Sequence, residues 1–215
     1  MRVIPTFLML AMAVPASAGQ PTSPEDVASR IETFYKDRAD VRATFVQKVK
    51  KPGRRRVLEK SGRVFFKRPG KMRWDYQKPE QVFYISDGEV LWSYQPEDRL
   101  ATRLDVKSSQ LYHQTRYLFG QGNLASDFNL VQGKAAPKGL YALELQPRKS
   151  SKTFSQLTLM VDLETGEIRQ SVLVDPYGNE STIIFGKVKY ADVEDKHFQF
   201  TPPATATVRN LNQKP

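Results

Sequence analysis

The side chains in this sequence that are best suited to binding a ligand are aromatic. Both tryptophans of the chain lie between Val64 and Pro96, in a run that is also dense in tyrosine and phenylalanine. Large side chains fall on alternate positions there, which in a β-strand sends them to one face. They are Met72, Trp74 and Tyr76 in one predicted strand and Val90, Trp92 and Tyr94 in another. Such faces must be covered by apolar material, which is either the protein itself or a bound apolar ligand.

Residues that commonly perform catalysis are sparse or badly spaced. The chain has no cysteine, which excludes thiol nucleophiles, disulfides and thiolate metal sites. Its two histidines, His113 and His197, are far apart and have no carboxylates at ligand spacing. Asp162 and Asp175 end predicted strands, where turns explain them, and the sequence contains neither a glycine-rich phosphate loop nor a serine elbow. We therefore expect no enzymatic activity, no metal and no cofactor.

Residues 1–18 have the features of a secretory signal peptide. Arg2 precedes a short apolar stretch, and residues 16–18 supply the small side chains of a cleavage site. The apolar stretch is too short to span a bilayer as a helix. An exported protein without disulfides is typical of a bacterial periplasm, so we expect a periplasmic location with cleavage near Ala18. Residues 19–215 are then expected to form one domain.

The chain is basic, with a formal net charge of +10. In an exported protein, nucleic acid is a poor candidate for the partner of this charge. The densest basic cluster flanks Pro52-Gly53 in a predicted hairpin loop and consists of Lys48, Lys50, Lys51, Arg54, Arg55 and Arg56. It is either a solvated loop that keeps the protein soluble or a surface attracted to anionic lipid headgroups or an acidic partner.

The elements that must position these residues are mostly strands. Residues 24–39 predict an amphipathic helix, which Ser23 can cap and whose buried stripe consists of Val27, Ile31, Phe34 and Tyr35. From Val41 onward, alternation predicts ten or eleven strands in a bent antiparallel sheet or barrel, with Asp87-Gly88 as the clearest hairpin turn. Helical spacing returns between residues 107 and 126, where Leu111, Leu118 and Phe119 lie on the apolar side.

Six short segments, spread in order along most of the chain, are distinctive when they are taken together. They are Phe45-Val46-Gln47, Phe66-Lys67-Arg68-Pro69, Met72-Arg73-Trp74, Ile85-Ser86-Asp87-Gly88, Leu91-Trp92-Ser93-Tyr94-Gln95-Pro96 and Phe198-Gln199-Phe200-Thr201-Pro202-Pro203. Together they resemble the periplasmic lipoprotein carrier family, LolA. The resemblance implies an unclosed antiparallel β-barrel with a helical lid over an apolar cavity, the two predicted helical regions being part of the lid.

The resemblance also implies partners. Members of the family accept acylated lipoproteins from an inner-membrane ABC transporter and pass them to an outer-membrane receptor, LolB. We expect the same partners here for a monomeric protein without nucleic acid or stable membrane insertion. LolB itself is disfavoured, because it is anchored through a cysteine that this chain lacks. Two other functions stay open: a carrier of phospholipid or glycolipid, and a lipoprotein-sensing regulatory domain with the same fold.

The resemblance and the aromatic pattern together predict a cavity for acyl chains. Its expected lining residues are Met72, Trp74, Tyr76, Trp92, Leu111, Leu118 and Phe119. For the tryptophans, Met72 and Tyr76 the alternative is an ordinary place in the core. Arg68 stands where the family has an arginine whose hydrogen bonds to the lid backbone hold the empty carrier shut, so it is the expected lock of the lid.

Overall fold

A single sheet accounts for most of the described chain. The computed structural model describes residues 23–38, 40–106, 123–149 and 154–211. Its α-helices in these residues are α1 (Pro24–Lys36) and α2 (Leu124–Asp127), and a 3₁₀ turn spans Asp195–Phe198. The strands are β1 (Asp40–Lys50), β2 (Val57–Lys67), β3 (Lys71–Lys78), β4 (Val82–Ser86), β5 (Val90–Gln95), β6 (Leu100–Asp105), β7 (Phe128–Gln132), β8 (Leu140–Pro147), β9 (Gln156–Asp162), β10 (Ile168–Val174), β11 (Glu180–Lys189) and β12 (Thr207–Asn210). Of the described helices, none combines the length and apolar character that crossing a bilayer requires.

The strands follow the order β12-β6-β5-β4-β3-β2-β1-β11-β10-β9-β8-β7. All neighbours are antiparallel except β12 and β6, which are parallel. In the described residues the edge strands β7 and β12 do not pair with each other, so the barrel is unclosed, as predicted. The described residues form twelve strands rather than ten or eleven, because the sequence pattern does not reveal β12 (Thr207–Asn210).

Helix α1 begins where its sequence predicts and ends three residues early. The Ser23 hydroxyl accepts a hydrogen bond from the Asp26 backbone N–H at 3.1 Å, which caps the first turn. Val27, Ile31 and Tyr35 are buried, so the helix packs through the predicted stripe. Together with the inner faces of strands from both halves of the sheet, these side chains form one hydrophobic core.

The polar contacts of helix α1 with the sheet lie at one end of the sheet, which we call the helix end. The Arg30 guanidinium donates to the Leu163 carbonyl at 3.3 Å, and the Tyr35 hydroxyl accepts from the Ile168 N–H at 3.3 Å. Both partners flank the β9–β10 turn. The opposite end of the sheet, the mouth end, consists of the β1–β2 and β10–β11 hairpin tips and the β3–β4 turn, since Lys50 pairs with both Val57 and Glu180.

The chain between β11 and β12 covers the outer face of the sheet. The ring of His197 stacks on Phe65 with 4.9 Å between ring centroids, and the His197 carbonyl accepts from the Arg73 guanidinium at 3.2 Å. Further along, Phe200 contacts Trp92 and Tyr94 at centroid distances of 5.7 and 5.3 Å. The outer aromatic side chains Phe65, Trp92 and Tyr94 are therefore partly covered by protein.

Candidate functional site: a cavity at the mouth end

A cavity of about 560 Å³ opens at the mouth end of the inner face. Its apolar wall comes from strands β4, β5, β6 and β10 and consists of Val82, Tyr84, Leu91, Leu104 and Leu173. Its more polar wall and rim include Gln47, Lys51, Lys60, Tyr76, Glu80, Ser93, Asp175, Asn179, Glu180 and Ser181. A volume of this size is typical of sites that enclose small organic ligands.

The polar wall is organised by a chain of hydrogen bonds. The Tyr76 hydroxyl donates to Gln47 Oε1 at 2.9 Å, and Gln47 Nε2 donates to Ser181 Oγ at 2.8 Å. Burial raises the pKa of Tyr76, so its hydroxyl remains a neutral donor. The ammonium of Lys60 lies 5.7 Å from the centroid of the Tyr76 ring. The cavity therefore offers one apolar wall and one wall of fixed hydrogen-bonding groups, a combination suited to an amphiphile.

A row of aromatic rings leads from the cavity into the core. Tyr84 contacts Tyr76 at a centroid distance of 5.9 Å, and Tyr76 contacts Phe45 at 4.9 Å. Phe45 contacts Trp74 at 4.8 Å, and Trp74 contacts Phe66 at 5.7 Å. We call these five residues the aromatic row. They make the cavity wall continuous with the hydrophobic core.

The structure separates the predicted lining residues. Tyr76 lines the cavity, whereas Met72 and Trp74, which are 2% and 0% exposed, lie in the adjoining core. Trp92 is a correction: it lies on the outer face against Phe200, because β5 turns Leu91 inward. Leu111, Leu118 and Phe119 lie outside the described residues, as does most of the predicted lid between residues 107 and 126.

Sequence reasoning missed the apolar wall itself. Val82 and Tyr84 face inward because they pair with Tyr76 and Trp74 in β3. The pairing of β4 with β5 and of β5 with β6 then places Leu91 and Leu104 on the same side. Strand register was the missing signal, since alternation alone groups residues by face without saying which face is inner.

Arg68 contacts helix α1, one of the two described parts of the predicted lid. Its Nη2 donates to the carbonyl oxygens of Tyr35 at 2.8 Å and Lys36 at 2.9 Å. These carbonyls lie in the last turn of α1, where a helix lacks internal partners and carries partial negative charge. The side chain is thus placed to fasten α1 to the β2–β3 turn, and its role as a lock stays a prediction.

A second set of polar contacts holds α1 at the β9–β10 turn. Burial raises the pKa of Tyr35 to about 12. Next to it, the Tyr190 hydroxyl donates to Glu167 Oε1 at 2.7 Å, and the same carboxylate pairs with Arg169 at 2.7 Å. Helix α1 itself is held there by the hydrogen bonds of Arg30 to the Leu163 carbonyl and of the Ile168 N–H to the Tyr35 hydroxyl, as well as by its apolar stripe.

One buried polar atom in the aromatic row has no partner. In the described part of the chain, Trp74 Nε1 is the buried side-chain nitrogen or oxygen without a hydrogen bond. An unsatisfied buried donor costs about 1–3 kcal/mol. Across the same residues, no three histidine or carboxylate side chains come together as a metal site would require.

Comparisons with known proteins agree with the architecture. Residues 38–201 match the family described as "Outer membrane lipoprotein carrier protein LolA". The outer-membrane lipoprotein carrier protein of Methylococcus capsulatus is 30% identical over 84% of this chain and 86% of its own length. That of Chromobacterium violaceum is 30% identical over 93% and 95%. A solved structure of an uncharacterized conserved protein from Thermus thermophilus shares the fold, with a TM-score of 0.56 at 13% identity over 86% of this chain and 98% of that one.

Proposed function

The chain belongs to the LolA family of outer-membrane lipoprotein carrier proteins, and from this premise we propose that it binds the acyl chains of lipoproteins released from the inner membrane and carries them through the periplasm. The observation that carries the proposal is the cavity of about 560 Å³, whose apolar wall continues into the aromatic row. An inner-membrane ABC transporter would supply the cargo and an outer-membrane receptor would take it.

The energetics of such a carrier follow from the area that an acyl chain hides from water. Each methylene buried contributes about 0.8 kcal/mol, so about ten of them contribute about 8 kcal/mol. A carrier must also release its cargo. If α1 leaves the inner face when cargo enters, the contacts that α1 loses offset part of this gain, and the net affinity stays moderate.

Arg68 has a defined role in this proposal. Its two hydrogen bonds to α1 favour the closed form, so cargo must bind tightly enough to break them. The lock therefore sets the balance between loading and release. A carrier without it would load more readily and release less readily.

The test is to identify the cargo and then block the cavity. Native mass spectrometry of the protein purified from a periplasmic extract should show a lipoprotein adduct. Ser93→Phe places a phenyl ring in the cavity wall and should weaken the displacement of a hydrophobic fluorophore by a triacylated peptide. The control is Thr182→Phe, which adds the same ring to the outer face of β11, where Thr182 pairs with Lys48.

The outcomes separate the proposal from its alternatives. A phospholipid or glycolipid mass in place of lipoprotein would support a carrier of another amphiphile. A lipoprotein adduct that an acceptor cannot remove would support a sensing domain. Equal binding by the two phenylalanine variants would show that the cavity is not the site.

A further inference from the structure

We propose that the mouth end of this protein docks on the surface of an anionic phospholipid bilayer. The docking surface, which we call the basic tip, lies on the β1–β2 hairpin and the neighbouring β10–β11 turn. It consists of Lys48, Lys50, Lys51, Arg54, Arg55 and Arg56 together with Val57, Leu58 and Tyr177. The inference concerns where the protein binds, and it holds for any amphiphile that the cavity takes.

Cations outnumber carboxylates at the basic tip, where Glu59 is the strand partner of Lys48 and Glu180 is that of Lys50. Residues 48–58 contain six cations and no carboxylate, and all six cationic side chains are exposed. Among the described residues, none of the six takes part in an ion pair. A cluster of this density is attracted to anionic headgroups over about the Debye length of the surrounding salt.

Exposed apolar side chains lie among these cations. Val57, Leu58 and Tyr177 are 47%, 41% and 85% exposed. The turn that carries Tyr177 lies beside the hairpin, since a Cβ added at Gly178 would come within 3.3 Å of the Pro52 ring. Cations mixed with exposed aliphatic and tyrosine side chains are typical of surfaces that enter the headgroup region of a bilayer. An acidic protein surface would need the cations alone, which is why we favour the bilayer.

The Tyr177 turn is held in a fixed shape. The Asp175 carboxylate accepts from the backbone N–H groups of Tyr177 and Asn179, both at 2.9 Å, and from the Asn179 side-chain amide at 2.7 Å. These bonds lower the pKa of Asp175, although partial desolvation opposes them. The turn therefore presents Tyr177 to solvent without a large cost in conformational entropy on binding.

The basic tip also borders the opening of the cavity. Val49 and Lys51 of the hairpin and Asn179 of the turn line the cavity. Helix α1, at the other end of the sheet, exposes Glu25, Asp26, Glu32 and Lys36 and so carries no excess of positive charge. The charge distribution would thus orient the mouth end towards an anionic surface. Docking in this orientation places the cavity opening against the bilayer, where an acyl chain enters or leaves without crossing water.

Vesicle flotation with the purified protein tests the proposal. We expect binding to vesicles of phosphatidylethanolamine and phosphatidylglycerol, and none to vesicles of phosphatidylcholine. Replacing Arg54, Arg55 and Arg56 with glutamine should lower the partition coefficient about 100-fold, since each cation contributes about a factor of five at such a surface. The control variant Lys134→Gln/Lys138→Gln/Arg209→Gln removes three exposed cations elsewhere and should bind almost as the unaltered protein does.

The apolar part of the basic tip is tested separately. Tyr177→Trp places an indole in the tip, and we expect brominated phosphatidylglycerol to quench its fluorescence. Trp74 and Trp92, which are buried and half-buried away from the tip, should not be quenched.

Three results would overturn the proposal. They are equal binding to neutral and anionic vesicles, equal losses in the two triple variants, and binding to polyglutamate but not to vesicles, which would assign the basic tip to an acidic protein partner.

Discussion

Removing the Arg68 side chain should loosen the attachment of helix α1 to the sheet without unfolding the protein. In Arg68→Met, the carbonyls of Tyr35 and Lys36 each lose a hydrogen bond from a charged donor. Such bonds contribute about 1.5–3 kcal/mol each when they are buried. Here the two carbonyl oxygens lie where water can replace the guanidinium. The Tyr35 carbonyl also keeps the hydrogen bond that it accepts from the Arg38 backbone N–H at 3.2 Å. We therefore expect a total loss of about 2 kcal/mol, less than the two bonds would give in the core.

Amide hydrogen exchange measures this loss directly. A change of about 2 kcal/mol in local opening corresponds to about 30-fold faster exchange of protected amides in α1 (Pro24–Lys36). Peptides from β2 and β3 should exchange as before, because their ladder is untouched. Arg42→Met is the matched control: it removes an exposed arginine from β1 and should leave α1 unchanged. Arg68→Lys keeps the positive charge but has a single ammonium group. The exchange rate of its α1 amides should lie between those of the unaltered protein and Arg68→Met.

Two results would refute this reasoning. If the amides of α1 exchange at the same rate in Arg68→Met as in the unaltered protein, the two hydrogen bonds do not fasten the helix. If the whole sheet exchanges faster together with α1, Arg68 supports global stability and is not a specific latch.

Three further predictions concern stability, each measured by urea unfolding. Gly62→Ala should lower the free energy of unfolding by about 3 kcal/mol, because a Cβ there would clash with the backbone oxygen of Asp75; an unchanged midpoint would show that the strands can separate locally. Trp74→Phe should cost about 1 kcal/mol or less against about 4 kcal/mol for Trp74→Ala, because phenylalanine keeps a ring and removes the unpaired N–H; equal costs would contradict this. Hydrogen bonds from Lys71 and Lys67 hold the pKa of Asp195 below its ordinary 3.8, so its contribution is present above that pH and lost as the pH falls further. Asp195→Asn should therefore lose less stability on acidification, and a parallel pH profile would exclude the effect.

The parts of the fold that sequence predicts well are those with a local cause. The Ser23 cap is one such part. The Asp87 turn is another, since the Asp87 carboxylate accepts from the backbone N–H groups of Glu89 and Val90, both at 2.9 Å. Strand β12 has no comparable signal. It contains four residues without alternating apolar character, and it pairs with Leu100 and its neighbours, about a hundred residues earlier in the chain.

The site shows the same division between local and non-local causes. Alternation correctly groups Trp92 with Tyr94, but their side of the sheet depends on Phe200, which covers them from a distant segment. Trp74 faces inward because β3 lies between β2 and β4 with its apolar side towards the core. Arg68 was identified through the resemblance, since no spacing in the sequence indicates that it reaches α1.

The cavity and the α1 contacts lie at opposite ends of one continuous inner face, and this separation has a consequence for the proposed function. No residue of α1 lines the cavity among the described residues, so a first acyl chain can enter at the mouth end while Arg68 still holds the helix. Deeper entry must displace contacts along the aromatic row, which joins Tyr84 at the cavity to Phe66 in the core. Phe66 also belongs to the core that contains Ile31 and Tyr35 of α1. Loading is then coupled to opening through packed rings, because a chain that penetrates the row competes with α1 for the same apolar surface.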